Sequence, residues 1–248
     1  MQETLRHDSL AEPWTEPEFV DALRSLRARY HDLHPFNRRM NAGELSPDEL
    51  RLWVANRFYY QVNIPIKDAA ILSNCPDPEV RRNWIQRVVD HDGGHDGNGG
   101  IEKWLRLGEA MGLAREELKS ERHVLPAVRF AVDAYVNFCR QRPWVEAVAA
   151  SLTELFGPDA IRERIPALEQ HYPWIDPRGF DYFRRRLTQA PRDAEYALKL
   201  VLHHCTTREQ QERAVRALAF KCDVLWVQMD ALNQGETRPP LPTEGGNR

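Results

Sequence analysis

Cysteine is scarce: there are four, Cys75, Cys139, Cys205 and Cys222, and none forms a C-x-x-C pair. Each lies in or beside an apolar stretch, which suits buried reduced thiols rather than a disulfide framework. No apolar run approaches eighteen residues, so no membrane span is expected. The opening segment, MQETLRHDSLAEPWTEPEF, is polar and acidic, unlike a secretory signal. The cytoplasm is the expected compartment. No basic block or aromatic-basic platform stands out, which argues against a nucleic-acid partner. The basic run FRRRL, residues 183–187, sits on a helical pattern that points its members in different directions. Neither a glycine-rich phosphate loop after a strand nor a G-x-S-x-G nucleophile occurs. A pair of Glu-x-x-His motifs is also lacking, which speaks against a carboxylate-bridged di-metal bundle. His91 and His95 are four apart, but Gly93 and Gly94 between them argue for a loop rather than a rigid ligand pair. No metal site is expected.

What remains is helical almost throughout. Hydrophobic residues make up 42% and charged residues 29%, an ordinary globular balance. Alternating strands and hairpin turns are missing, so the expected fold is all-α, one domain of seven to ten helices. It spans residues 16–234, after a polar segment (1–15) and before a Pro- and Gly-rich tail (235–248) expected to be poorly ordered. A first helix is read over 16–33, ended by HPF. Ser46-Pro47-Asp48-Glu49 and Asp77-Pro78-Glu79 are helix starts. The first of these helices runs to about Asn63 and bends near Pro65. Further helices are read from Ile101, Pro126 and Pro143, the last ended by Gly157-Pro158. A short one follows at 159–169, then others at 178–189, 191–205 and 207–233.

Polar residues interrupt the apolar stripes of these helices. Leu50, Val54, Arg57, Gln61 and Ile64 share one face, as do Val80, Trp84, Arg87 and His91. Lys221 lies between Leu218 and Leu225. Tyr182 and Arg186 form another one-turn pair, and Glu154 shares a face with Ala147, Ala150 and Ser151. A buried, unpaired charge costs several kcal/mol or more. Each cation therefore needs either a hidden carboxylate or an anionic ligand. One arginine alone is as well explained by snorkelling from a core edge, and Tyr135 alone by core packing. Four helices each offering an inward cation point instead to an interior pocket for a ligand with several carboxylates or phosphates. His91, one turn after Arg87, reads equally as a helix C-terminal histidine favoured by the macrodipole or as a base held neutral by that cation and able to accept a proton.

The strings WVANRFYYQ…IPIKDAAILSNCPD, RVVDHDG…GGIEKWLRLGEAMGL, SERHVLPAVRFAVDAY, SLTELF, HYPWI, YFRRRLTQAPRD and FKCDVLWVQMDA closely resemble the pyrroloquinoline-quinone (PQQ) synthase family, from about Tyr30 to Ala231. The resemblance implies a haem-oxygenase-like helical fold and a homodimer. It implies an oxidase that closes the last ring of a polycarboxylate quinone precursor, oxidises it with dioxygen and releases hydrogen peroxide. No metal or organic cofactor is implied, because the substrate's own quinol chemistry reduces oxygen. Carried over by motif, Arg57, Gln61, Lys67, Arg87, Tyr135, Arg164 and Lys221 would bind substrate. His91 would be the main base and acid, with His31 and Glu154 completing the polar pocket. Tyr182 and Arg186 would lie where oxygen or peroxide is handled. The sequence departs from the family's pattern at Ile161, seven positions beyond Glu154, where relatives carry a histidine. A local shift of the helix, or a neighbour such as His171, is what would compensate. Two other readings of the same fold are a non-catalytic carrier of the finished quinone, and a metal-dependent oxidase.

Overall fold

The helices that start at Pro35, Pro47 and Pro78 begin where a proline and a capping side chain coincide. In the computed structural model, which describes residues 11–235, eleven α-helices and four short 3-10 turns are present and no strand occurs among the described residues. The expectations for residues 1–10 and for the tail from residue 236 lie outside them. The helices are α1 (Glu16–Ser25), α2 (Pro35–Asn41), α3 (Pro47–Asn74), α4 (Pro78–Asp92), α5 (Gly100–Ala110), α6 (Arg115–Lys119), α7 (Pro126–Gln141), α8 (Trp144–Ala150), α9 (Gly157–His171), α10 (Asp181–His204) and α11 (Arg208–Gln234). The 3-10 turns are Leu26–Arg29, His31–Leu33, Ser151–Leu155 and Pro177–Phe180. Ser46 caps α3 reciprocally with Glu49, and Thr207 caps α11 with Gln210. Asp77 caps α4 by accepting from the Glu79 N–H at 2.8 Å.

The helices number eleven rather than seven to ten, and the chain departs from expectation at four further points. The helix expected over 16–33 ends at Ser25. Beyond it Arg27 forks onto Asp32 at 2.7 and 2.5 Å, a five-residue separation that a helix does not bring face to face. Gly157-Pro158 opens α9 rather than closing the preceding segment, because proline in a first turn loses no helical hydrogen bond. Pro191 does not split α10, which continues through it to His204. An interior proline costs about 3 kcal/mol or more. Here ion pairs from Arg186 and Arg192 to Asp193, and from Arg192 to Asp90 on α4, hold the segment on both sides of the proline. Pro65 is likewise inside one continuous α3.

Helix α3 packs against α4, α5 and α7; α11 packs against α7 and α8; α10 packs against α8, α9 and the turn at Ser151–Leu155. Trp53, Trp104 and Phe183 meet ring to ring at 5.6–6.3 Å where α3, α5 and α10 converge. This aromatic floor leaves the polar faces of α3, α4, α10 and α11 around a common interior space.

Candidate active site

That space is a cavity offering about 100 Å³ to the centres of water-sized molecules, against the roughly 10–15 Å³ that one water requires. Arg57, Gln61 and Lys67 enter it from α3, Arg87 and His91 from α4, and Tyr135 from α7. Glu154 comes from the turn at Ser151–Leu155, Ile161 and Arg164 from α9, Tyr182 and Arg186 from α10, and Lys221 from α11. His31 enters from the turn before α2.

The cations divide into two groups. Arg87 is saturated with carboxylates. Its Nη1 and Nη2 donate to Glu154 at 2.7 and 2.8 Å, its Nε donates to Asp68 at 3.2 Å, and Nη1 lies 3.2 Å from Asp193. Arg186 shares Glu154 at 3.0 Å, and Lys67 donates to Asp68 at 2.6 Å and to Ser151 Oγ at 3.0 Å. Burial alone would raise the Glu154 and Asp68 carboxyls. The cations outweigh it: Arg87 and Arg186 hold Glu154 well below the usual carboxylate range, and Arg87 and Lys67 hold Asp68 low. Asp193 moves the other way, raised by burial and by Glu154.

Arg57, Arg164 and Lys221 form no ion pair among the described residues. Aromatic faces and neutral groups hold them instead. The Arg57 guanidinium lies 3.9 Å from the Tyr60 ring centre, and its Nη1 is buried without a hydrogen-bond partner among the described residues. Lys221 Nζ lies 3.7 Å from the Tyr135 ring centre and donates to Tyr60 Oη at 2.8 Å. Arg164 donates to Asn37 Oδ1 at 2.6 Å, and its Nε is buried without a partner. A cation–π contact is worth about 0.5–2 kcal/mol, less than the several kcal/mol it costs to bury a charge. Their acid–base balance follows from that deficit. Burial, then Arg57 and Lys67, push the Lys221 ammonium well below its ordinary value, and burial brings Arg164 down to about 10. This end of the cavity is electrostatically incomplete and suits an anionic ligand.

His91 is 3% exposed. Its Nδ1 lies 3.0 Å from the Arg87 carbonyl, which can only accept, so Nδ1 carries the proton and Nε2 keeps a lone pair. Burial and the Arg186 guanidinium lower it to about 4, leaving a neutral base at pH 7. The glycine-rich segment after α4 folds back on this residue. A Cβ on Gly99 would stand 2.3 Å from both the His91 carbonyl oxygen and Gly93 N. Gly100 opens α5 against the His91 and Tyr182 rings. Tyr182 Oη donates to Gln61 Oε1 at 2.9 Å. No group of three or more His, Cys, Asp or Glu side chains among the described residues is arranged to hold a metal ion.

Comparison with known proteins places this architecture. Residues 20–231 match the TENA/THI-4/PQQC family. A pyrroloquinoline-quinone synthase of Ectopseudomonas mendocina is 55% identical over 236 residues, 94% of each chain. The chain belongs to the TENA/THI-4/PQQC family. Two solved structures share the fold at low identity. One is a domain of unknown function with a heme oxygenase-like fold from Shewanella denitrificans (13% identity, TM-score 0.74, 89% of this chain and 93% of that one). The other is a TenA homologue from Pseudomonas syringae pv. tomato (14%, TM-score 0.69, 92% and 100%). The all-α, haem-oxygenase-like fold expected from the sequence is the fold observed.

In this member of the TENA/THI-4/PQQC family every site residue named from the sequence lines the one cavity: His31, Arg57, Gln61, Lys67, Arg87, His91, Tyr135, Glu154, Arg164, Tyr182, Arg186 and Lys221. Ile161 lines it too. His171 does not compensate for Ile161. It is the exposed last residue of α9, packed against Gly43 away from the cavity. The sequence reading missed Asp68 and Asp193, the hidden carboxylates. Both were within reach of it: Asp68 continues the stripe of Gln61 and Ile64, and Asp193 lies two turns beyond Arg186. Tyr60, Ser151 and Asn37 were missed as well. Asn37 sits in a segment read only as a helix end.

Proposed function

We propose that this chain is a pyrroloquinoline-quinone synthase, acting on a polycarboxylate quinone precursor. It closes the remaining ring and passes electrons from the resulting quinol to dioxygen. Each oxidation removes two electrons and two protons from the quinol and delivers both to O₂ as hydrogen peroxide. The observation that carries the reading is the pairing, in one cavity, of three cations that lack carboxylate partners among the described residues with a buried, neutral histidine. Arg57, Arg164 and Lys221 supply the charge that the ligand's carboxylates complete. His91 Nε2 is the acceptor for a proton leaving the ligand. Gln61, Lys67, Arg87 and Tyr135 complete the ligand-binding wall, and His31 and Glu154 its polar edge. Tyr182 and Arg186 serve the oxygen-handling steps. The 55% identity to a protein bearing this name along 94% of each chain supports the same assignment.

The reading extends to cofactor independence, a homodimer and a cytoplasmic location. No helix among the described residues is long and apolar enough to cross a membrane. Stopped-flow spectroscopy of precursor and protein, first without oxygen and then with it, tests the function. Ring closure without oxygen, followed by oxygen uptake and peroxide release, is the expected course, and the spectra show at which oxidation Ile161 slows the sequence. Tight product binding with no oxygen uptake would mark a carrier instead. Iron or manganese near one equivalent in active protein would overturn cofactor independence. His91→Ala leaving both phases at wild-type rates would remove His91 as the base.

A further inference from the structure

Asn37, in α2, is fully buried and contributes nothing to the cavity wall, yet it touches two residues that do. Two one-way partners set its amide orientation. Arg164 Nη2, which can only donate, lies 2.6 Å from Oδ1. The His31 carbonyl, which can only accept, lies 2.6 Å from Nδ2. The same Nδ2 lies 3.1 Å from His31 Nδ1. A donor at that distance requires an unprotonated Nδ1. The proton of the neutral ring is therefore on Nε2, the nitrogen with no hydrogen-bond partner among the described residues.

The surroundings resist a second proton. His31 is 5% exposed. Arg57 faces it from α3, Arg164 from α9 and Lys221 from α11, with His34 nearby in the chain. The adjacent carboxylate, Asp32, is occupied by Arg27. Protonated Nδ1 would also set N–H against N–H at Asn37. His91 is wired in the opposite sense, with Nδ1 protonated and Nε2 open.

We propose that Asn37 is a positioning residue that holds His31 as the Nε2–H tautomer, so that His31 donates a hydrogen bond into the cavity while His91 accepts one. The two histidines then have different tasks: His91 removes a proton, and His31 stabilises a ligand oxygen that gains negative charge. This division of labour rests on the proposed function; the tautomer itself does not.

The test uses the full chain labelled with ¹⁵N in the histidine rings, with His31 assigned by its loss in His31→Gln. Long-range ¹H–¹⁵N spectra from pH 5 to 8 are expected to show a neutral His31 with the proton on Nε2. In Asn37→Asp the side chain still accepts from Arg164 but cannot donate to His31. The proton is expected to move to Nδ1 or the ring to become charged, and kcat for quinone formation to fall about 10²-fold with KM changed less. A wild-type His31 protonated on Nδ1 or doubly protonated at pH 7 overturns the proposal, as does an unaltered His31 pattern in Asn37→Asp. Should Asn37→Asp fail to fold, the wild-type spectrum still decides. Wild-type protein showing the Nε2–H ring but no oxygen uptake would sink the proposed function and leave the Asn37 assignment standing.

Discussion

A histidine buried among guanidinium groups stores its chemistry as a refusal to protonate. His91 has an ordinary value of 6.5 and about 4 in the fold. Between those pH values the unfolded chain takes up a proton that the folded chain does not. Its stability contribution is therefore complete above pH 6.5 and is lost as the pH falls to about 4, by roughly 3 kcal/mol. His31, also lowered, acts in the same sense, and Asp193, raised by burial, acts against it. Urea midpoints at pH 7 and 4.5 check this: wild type should lose more stability than His91→Gln, and equal losses would refute it. The acid limb of kcat/KM should likewise fall near pH 4 rather than 6.5. At this scale the site was legible because Arg57, Arg87, His91 and Lys221 each break an apolar stripe. Asn37 broke none, and its role depends on contacts from chain positions six and 127 residues away.

Among the elements, the segment between α4 and α5 shows how backbone places a side chain. Its glycines read only as a loop, but Gly93 adopts φ +92° and Gly99 approaches the His91 carbonyl too closely for any Cβ. Gly99→Ala must displace backbone on both sides, which should cost at least about 1–3 kcal/mol and shift His91. At Gly100 a Cβ would meet ring carbons of His91 and Tyr182 at 3.5 Å and the Asp90 carbonyl oxygen at 3.6 Å, all ordinary contacts. Gly100→Ala should therefore leave the denaturation midpoint within about 0.5 kcal/mol of wild type. Equal destabilisation by the two substitutions would contradict the packing described. Helix starts were legible from their caps and prolines. Continuation through Pro65 and Pro191 was not, because a proline's local cost is visible in sequence and its tertiary compensation, for Pro191 the ion pairs of Arg192, is not.

Across the whole molecule, the cavity divides its cations between those paired with internal carboxylates and those with no carboxylate partner among the described residues, and the split predicts opposite signs for similar substitutions. Arg87 stands among Asp68, Glu154 and Asp193. Arg87→Met would leave two buried carboxylates, Asp68 and Asp193, and the half-buried Glu154 short of a counter-charge and should destabilise the ligand-free protein by about 3–5 kcal/mol. Lys221 is just as buried, at 1% exposure, but has no carboxylate within ion-pair distance among the described residues. Lys221→Met conserves its length and removes the strain of a desolvated amine. It should stabilise the ligand-free protein by about 1–2 kcal/mol. Product quinone at one hundred times its Kd should stabilise wild type by about 2.7 kcal/mol, and the same concentration should stabilise Lys221→Met far less. Thermal unfolding of the three proteins with and without the quinone measures all of this. A Lys221→Met protein less stable than wild type without ligand would mean that the lysine serves the fold, and that the cavity's excess charge is not held in reserve for an anion.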